Sequence, residues 1–300
     1  MNVAWRWILI AFIACHNKVH GYQQFYMESS ETYLTYISGT LPLIIGAPHG
    51  GTLKPADIPD RRHNGSSFVR DMYTAEIASS VAGIVANHYQ QRPHLIMCNV
   101  HRSKVDPNRA VDVGADSDSG RDIWKQYHDY IKSSIVTVTE AHTYGLLVDI
   151  HGQTHSHEKV ELGYLLEQPD LALPENSLNH AIRTRSSIQS LVSRYPYISP
   201  VEFVAGKKSF GMFLSSFASD VNVMPSPAFS TVGYNESFYS GGYVTETYYA
   251  KANQPGVDVI QIEIPKHLRL VTENRDKFTF TLAQAIIHML DHHYVNRLKL

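Results

Sequence analysis

The sequence predicts an α/β protein: a single domain whose central sheet, mainly parallel to mixed, is flanked by helices. Three observations carry that prediction. Short apolar runs of strand length recur at residues 41–46, 94–100, 145–151 and 257–264. Helix-like segments follow or separate them, at 68–89, 118–142, 174–195 and 277–294, with helical apolar spacing in the first and the last. Each strand-like run also ends close to a histidine or a carboxylate, and open α/β sheets place their chemistry at strand carboxyl ends.

The stretch 145–158 (GLLVDIHGQTHSHE) is the centre of the pattern. Leu146, Leu147 and Val148 read as a buried strand that runs into Asp149, Ile150 and His151. A period of two puts Asp149 and His151 on one face, which suits a histidine that binds metal through one ring nitrogen while a nearby acid orients it. A lone histidine at a strand end is more often a structural hydrogen-bonder, but here matching pieces occur elsewhere. A local site of His151, His155 and His157 is the lesser alternative. Gly152 and the alternating spacing favour a loop or strand there over a helix that would stack 151 on 155.

Taken in order, residues 41–46 (LPLIIG) read as a buried strand entering Ala47-Pro48-His49-Gly50-Gly51. This is a second strand-end histidine, beside glycines that permit close backbone approach. In the helix expected at 68–89, Asp71 falls in the first turn, where an acid commonly offsets the helix dipole. The strand at 94–100 leads into His101-Arg102-Ser103-Lys104-Val105-Asp106-Pro107-Asn108-Arg109. Such a loop is often merely solvated. Arg102 and Arg109 nevertheless fall just past a strand end, and the arginine fork suits a carboxylate. Residues 161–166 form a short strand, 174–195 an exposed helix, and 209–242 a long loop region covering the site. Residues 257–264 (VDVIQIEI) alternate cleanly, so Glu263 shares a face with Gln261 at the strand end. A surface glutamate is the plain account of it.

Composition removes several classes. Three hundred residues do not limit core size, and 43% hydrophobic with 18% charged residues is ordinary for a globular chain. A formal net charge of -2 without a Lys/Arg stripe gives no nucleic-acid footprint. The 17 histidines are too many to select a site by count. Arg6, the apolar run 7–15 and the polar residues up to His20 read as a secretory signal over 1–21, leaving a domain of 22–300. Nine apolar residues fall well short of the roughly 20 that span a bilayer, so no stable membrane insertion is expected. The mature chain is then extracellular, with Cys98 alone after Cys15 leaves. No internal disulfide can form, and Cys98 reads as a buried small hydrophobe. Asn64 and Asn235 open glycosylation sequons, which matter if the chain is secreted.

Four segments in fixed order, Pro48-His49-Gly50-Gly51, Arg102 with Val105-Asp106-Pro107-Asn108-Arg109, Asp149-Ile150-His151 and Gln261-Ile262-Glu263, resemble the N-formylglutamate amidohydrolase family. More distantly they are similar to the zinc carboxypeptidases, which share the core fold. Gly241-Gly242-Tyr243-Val244-Thr245, then Gly256-Val257, also match the first family, and the resemblance spans residues 41–270. It implies a zinc hydrolase. His49 and His151 match the metal-binding histidines, and Asp71 looks like the acidic ligand. Zinc carboxypeptidases instead carry a Glu three residues after the first His, where this chain has Thr52, so Asp57 and Asp60 stand as further candidates. Glu263 matches the general base, Arg102 the oxyanion stabiliser, and Asn108 with Arg109 the pair that holds a substrate carboxylate.

One departure bears on the substrate. Family members carry an arginine after the Gly-Gly-aromatic-Val/Ile-Thr stretch, whereas this chain has Glu246 followed by Thr247. An anion there disfavours the family's acidic ligand. The expected substrate is therefore another amide with a carboxylate: an N-acyl amino acid, a peptide, or a γ-glutamyl polymer of the kind that related poly-γ-glutamate hydrolases cleave. The competing reading is a secreted binding or matrix protein that kept the fold without catalysis, favoured by Glu246 and the aromatic-rich loop. Retention of every catalytic candidate, including the base, speaks for the enzyme. A cofactor-dependent enzyme is set aside because no glycine-rich phosphate fingerprint is present.

Overall fold

The computed structural model describes residues 32–63 and 67–295; the signal read at 1–21 and the sequon residue Asn64 lie outside them. Seven strands form one sheet: β1 (Leu34–Ile37), β2 (Leu43–Ala47), β3 (His94–Cys98), β4 (Tyr144–Gln153), β5 (Val160–Gly163), β6 (Val223–Met224) and β7 (Gly256–Pro265). Their order is β1-β3-β2-β4-β7-β5-β6. The middle four, β3, β2, β4 and β7, are mutually parallel. β1 pairs antiparallel with β3 and β5 antiparallel with β7, so the sheet is mixed.

Alternation along the central strands divides the core. Leu146, Val148 and Ile150, with Ile260, Ile262 and Ile264, face one apolar layer. The helices α1 (Thr74–Tyr89) and α6 (Thr272–Leu290) cover it through Ile77, Val81, Val85, Phe278, Leu282 and Ile286. Leu147, Val257 and Val259 face the opposite layer, closed by Ile123, Tyr127, Ile131 and Val138 of α2 (Asp118–His142). The same parity puts Asp149, His151, Gln261 and Glu263 on the α2 side, all buried. An apolar side chain at any of these positions would contribute about 1.5–3 kcal/mol by burial, and a buried polar one demands partners. Four of them at the carboxyl ends of two adjacent strands mark a site.

Several element boundaries differ from the sequence reading. The helix expected at 68–89 starts only at Thr74, because Tyr73 takes a left-handed φ of 67°. Asp71 thus lies ahead of the helix and outside its first turn. The helix expected at 174–195 divides into α3 (Glu175–Arg185), most of whose residues are exposed while Leu178, Ala181 and Ile182 face the core, and a buried turn at Gln189–Ser193 that carries Leu191 and Val192. Between them the Ser187 N–H donates to the Tyr164 carbonyl, and the Ser187 carbonyl accepts from Val259. Those bonds pull the chain onto the sheet. Residues 209–242 are not one loop. They contain α4 (Phe210–Phe217), held by buried Phe210, Phe213 and Leu214, and the short strand β6. α5 (Tyr243–Tyr248) follows, with Glu246 exposed. Among the described residues no helix is long and apolar enough to cross a membrane.

Candidate metal centre

His49 leaves β2 on a tight bend. A Cβ at Gly50 would fall 2.5 Å from the Ala75 nitrogen, and one at Gly51 2.3 Å from the Asn99 main chain. These glycines therefore admit the chain's own backbone rather than a ligand. The His49 carbonyl accepts from the Asp71 N–H at 3.0 Å, which draws Asp71 beside it without any help from a helix. His151 and Glu263 are register partners on the adjacent parallel strands β4 and β7.

These elements bring three lone-pair atoms together. His49 Nδ1 lies 3.2 Å from Asp71 Oδ2, His151 Nδ1 lies 3.1 Å from His49 Nδ1, and His151 Nδ1 lies 3.5 Å from Asp71 Oδ2. Each ring's other nitrogen is committed elsewhere. His49 Nε2 is 2.6 Å from Asp106 Oδ1, and His151 Nε2 is 2.8 Å from Asp149 Oδ2. Because those carboxylates accept, the Nε2 atoms carry the hydrogens and both Nδ1 lone pairs point inward. A proton on His151 Nδ1, which Asp149 and Asp71 favour against the cost of burial, would relieve the two contacts that nitrogen makes; a cation relieves all three. Bonds of about 2.0–2.1 Å in a tetrahedral shell require ligand atoms roughly 3.3 Å apart, and the three observed spacings bracket that value. Residues of this set fit a divalent cation.

The charge pattern around it is consistent. Against the cost of burial, His49 and His151 hold the Asp71 carboxyl well below its ordinary range. His49, Arg102 and Arg61 do the same for fully buried Asp106. Burial pushes Glu263 the other way, up to about 8, with Asp71 adding to the rise and His151 opposing it. Glu263 Oε1 accepts from Gln261 Nε2 at 2.9 Å. Arg102 donates from Nε to Asp106 at 2.9 Å and approaches Asp71 through Nη1 at 3.5 Å. Asn108 accepts from the Val244 N–H at 2.8 Å, its Nδ2 lies 3.4 Å from His151 Nε2, and Arg109 caps the Asn108 carbonyl at 2.7 Å.

The structure thus gathers His49, Asp71, His151, Glu263, Arg102 and Asn108 around one edge of the sheet, while the Arg109 guanidinium folds back onto the neighbouring Asn108 carbonyl. Asp57 and Asp60 stay outside: both are exposed, and Asp60 accepts from Ser103 Oγ at 3.0 Å. His155 and His157 do not join His151 but gather on Glu161 of β5. That group is a poorer cation cradle. Its His155 Nδ1–Glu161 Oε1 spacing of 2.6 Å is a hydrogen bond, too short for co-ligands at about 3.3 Å. His157 Nδ1 accepts the Lys159 N–H at 3.1 Å, so its Nε2 is the protonated nitrogen facing Glu161. The Tyr239 N–H completes that carboxylate's shell at 2.8 Å. Of the sequon asparagines, Asn235 is exposed, with φ 68°. Sequence reasoning assigned no role to Asp106; only its place in the Val105–Arg109 motif drew notice.

The fold and this cluster define an α/β protein with a two-histidine, one-carboxylate centre at the carboxyl edge of its sheet. No protein-family model and no curated protein matches the sequence. Among solved structures, the N-formylglutamate amidohydrolase of Ralstonia eutropha JMP134 has the same fold: TM-score 0.51 and 13% identity, covering 87% of this chain and 97% of that one. A gene product of Agrobacterium tumefaciens aligns with TM-score 0.47 and 12% identity over 90% of this chain and 98% of its own. The first of these agrees with the fold resemblance read from the four sequence segments.

Proposed function

We propose that the protein is a zinc-dependent hydrolase that cleaves an amide or peptide-like bond in a substrate carrying a carboxylate. The observation that carries the reading is the triangle of His49 Nδ1, His151 Nδ1 and Asp71 Oδ2, whose edges suit a tetrahedral ion and whose outer nitrogens are fixed by Asp106 and Asp149. Zinc bound there supplies a Lewis acid for the scissile carbonyl and lowers the pKa of water from about 16 toward roughly 7.

The chain's own residues do the rest. Glu263 takes the attacking water's proton and delivers it to the leaving nitrogen as the C–N bond breaks. Arg102 keeps Nη2 free of any hydrogen bond among the described residues while Nε and Nη1 are engaged with Asp106 and Asp71. That nitrogen donates to the developing oxyanion, a contact whose loss typically costs about 3 kcal/mol. Asn108 and Arg109 receive the substrate carboxylate. N-acyl amino acids, peptides and γ-glutamyl chains all present the required pair of amide and carboxylate.

The reading includes secretion, supported by the charged and apolar leader at 1–21 and the sequons at Asn64 and Asn235. Expression in a secreting eukaryotic cell should yield medium-borne protein whose mass falls on deglycosylation. Zinc stoichiometry on the purified chain, combined with a screen of N-acyl amino acids and peptides, tests the activity. One zinc per chain with turnover supports it, and a metal-replete chain that holds no ion rejects it.

A further inference from the structure

Arg269 lies just beyond β7, in the short helix Lys266–Leu270, and is 3% exposed. Its guanidinium makes three hydrogen bonds, and every one ends on a main-chain carbonyl from a different segment. Nε donates to Ile264 at 2.9 Å, Nη1 to Met72 at 2.7 Å and Nη2 to Gln153 at 3.1 Å. Each acceptor lies within two residues of a residue of the proposed site. Ile264 follows Glu263, Met72 follows Asp71, and Gln153 comes two residues after His151. Gly152 is the neighbour that makes room: a Cβ there would fall 2.4 Å from Arg269 Cζ. The Gly152 N–H meanwhile donates to Asp71 Oδ2 at 3.1 Å. The Arg269 carbonyl is itself held by Arg275 Nη1 at 2.9 Å.

A guanidinium taken out of water without a bonded carboxylate is costly, and an apolar residue would fill the same volume at less cost. The charges acting on Arg269 from a distance are Asp71 and Glu263. Planarity is what distinguishes arginine here, because its donors diverge in fixed directions and so fix three acceptors relative to one another.

We propose that Arg269 is a positioning residue of the metal centre, one rigid fork that sets the spacing of the three main-chain segments bearing Asp71, His151 and Glu263. This rests on the metal-hydrolase reading above. It makes the ligand triangle depend on a side chain that touches neither metal nor substrate. Outer partners of this sort typically alter metal affinity about 10- to 100-fold.

The test uses full-length wild-type protein and three variants, Arg269→Lys, Arg269→Met and Gly152→Ala, each stripped of metal. Zinc affinity is read by competition with a chromophoric chelator, cobalt coordination by visible absorption, and metal-free stability by thermal unfolding. Wild type should bind one zinc, and all variants should bind it about 10- to 100-fold more weakly with altered cobalt bands. Arg269→Lys keeps the charge but not the fork and should not rescue. Gly152→Ala displaces an intact arginine, so it carries the measurement should Arg269→Met fail to fold. Variants that unfold at lower temperature yet bind zinc and cobalt like wild type would overturn the proposal, since that is the signature of a merely structural role. Wild type that binds no ion would instead reject the metal reading itself.

Discussion

His49 Nδ1 and His151 Nδ1 face each other across 3.1 Å, while the opposite nitrogen of each ring is tied to its own carboxylate, Asp106 or Asp149. Two inward lone pairs beside Asp71 Oδ2 are unfavourable without a positive charge between them. Zinc should therefore stabilise the fold. At a thousandfold excess over Kd the linkage contribution is about 4 kcal/mol. At roughly 2–3 °C per kcal/mol for a chain of this size, Tm should rise on the order of 10 °C over the chelator-treated protein. Calorimetry with and without zinc measures this, and coincident transitions would count against the site.

In the proposed reaction Glu263 moves a proton rather than holding the ion. Glu263→Gln should abolish turnover, with kcat down by at least about 100-fold, while zinc stoichiometry stays at one. The amide keeps the volume and can still meet Gln261, so folding should survive. Turnover near wild type would remove Glu263 from the mechanism.

Asp106 and Asp149 fix which nitrogen of each histidine carries the hydrogen. Asp106→Asn and Asp149→Asn present an amide where a carboxylate accepted, and each should weaken zinc binding about 10- to 100-fold without deleting a ligand. Isothermal titration reads this directly. The larger loss of folding stability is expected for Asp106→Asn, because Arg61 loses its carboxylate partner and Arg102 keeps only the longer contact with Asp71.

The site was legible in the sequence where its geometry is local. Asp149 and His151 share a face because strand side chains alternate, and Gln261 with Glu263 follows the same period; both strands are long apolar runs that read clearly. The long α2 read as a helix-like polar segment ahead of the central strand. Asp71 was named as a ligand candidate through the resemblance, but its setting was misread, since nothing in residues 68–74 announces Tyr73's left-handed turn. Asp106 meets His49 only after the loop that follows β3 folds over the end of β2, a long-range approach with no local signature. β1 and β6 escaped notice because four- and two-residue strands carry too little periodicity. Arg269 gave no signal at all, because its partners are backbone carbonyls far apart in the chain.

A pH dependence follows from His128, which is buried and links the Pro107 carbonyl, 2.9 Å from Nε2, to the Tyr248 hydroxyl, 2.6 Å from Nδ1. Burial drives its pKa down to about 4 despite the Pro107 bond. The ring is therefore neutral in the fold, whereas the unfolded chain protonates it near pH 6.5. Stability from this residue is complete above pH 6.5 and is lost as pH falls toward 4, by up to about 3 kcal/mol. His94 and His293 are depressed in the same sense by burial, so the informative quantity is a difference. Metal-free His128→Gln should lose less stability between pH 7 and pH 4 than metal-free wild type in chemical denaturation. Parallel curves would contradict the assignment.

The most direct measurement is an anomalous difference map at the zinc edge from crystals of the zinc-loaded protein. The account predicts one strong peak bonded to His49 Nδ1, His151 Nδ1 and an Asp71 carboxylate oxygen at about 2.0–2.2 Å, with Glu263 beside the remaining position. A map with no peak among these three residues, or with density only at His155, His157 and Glu161, would contradict it.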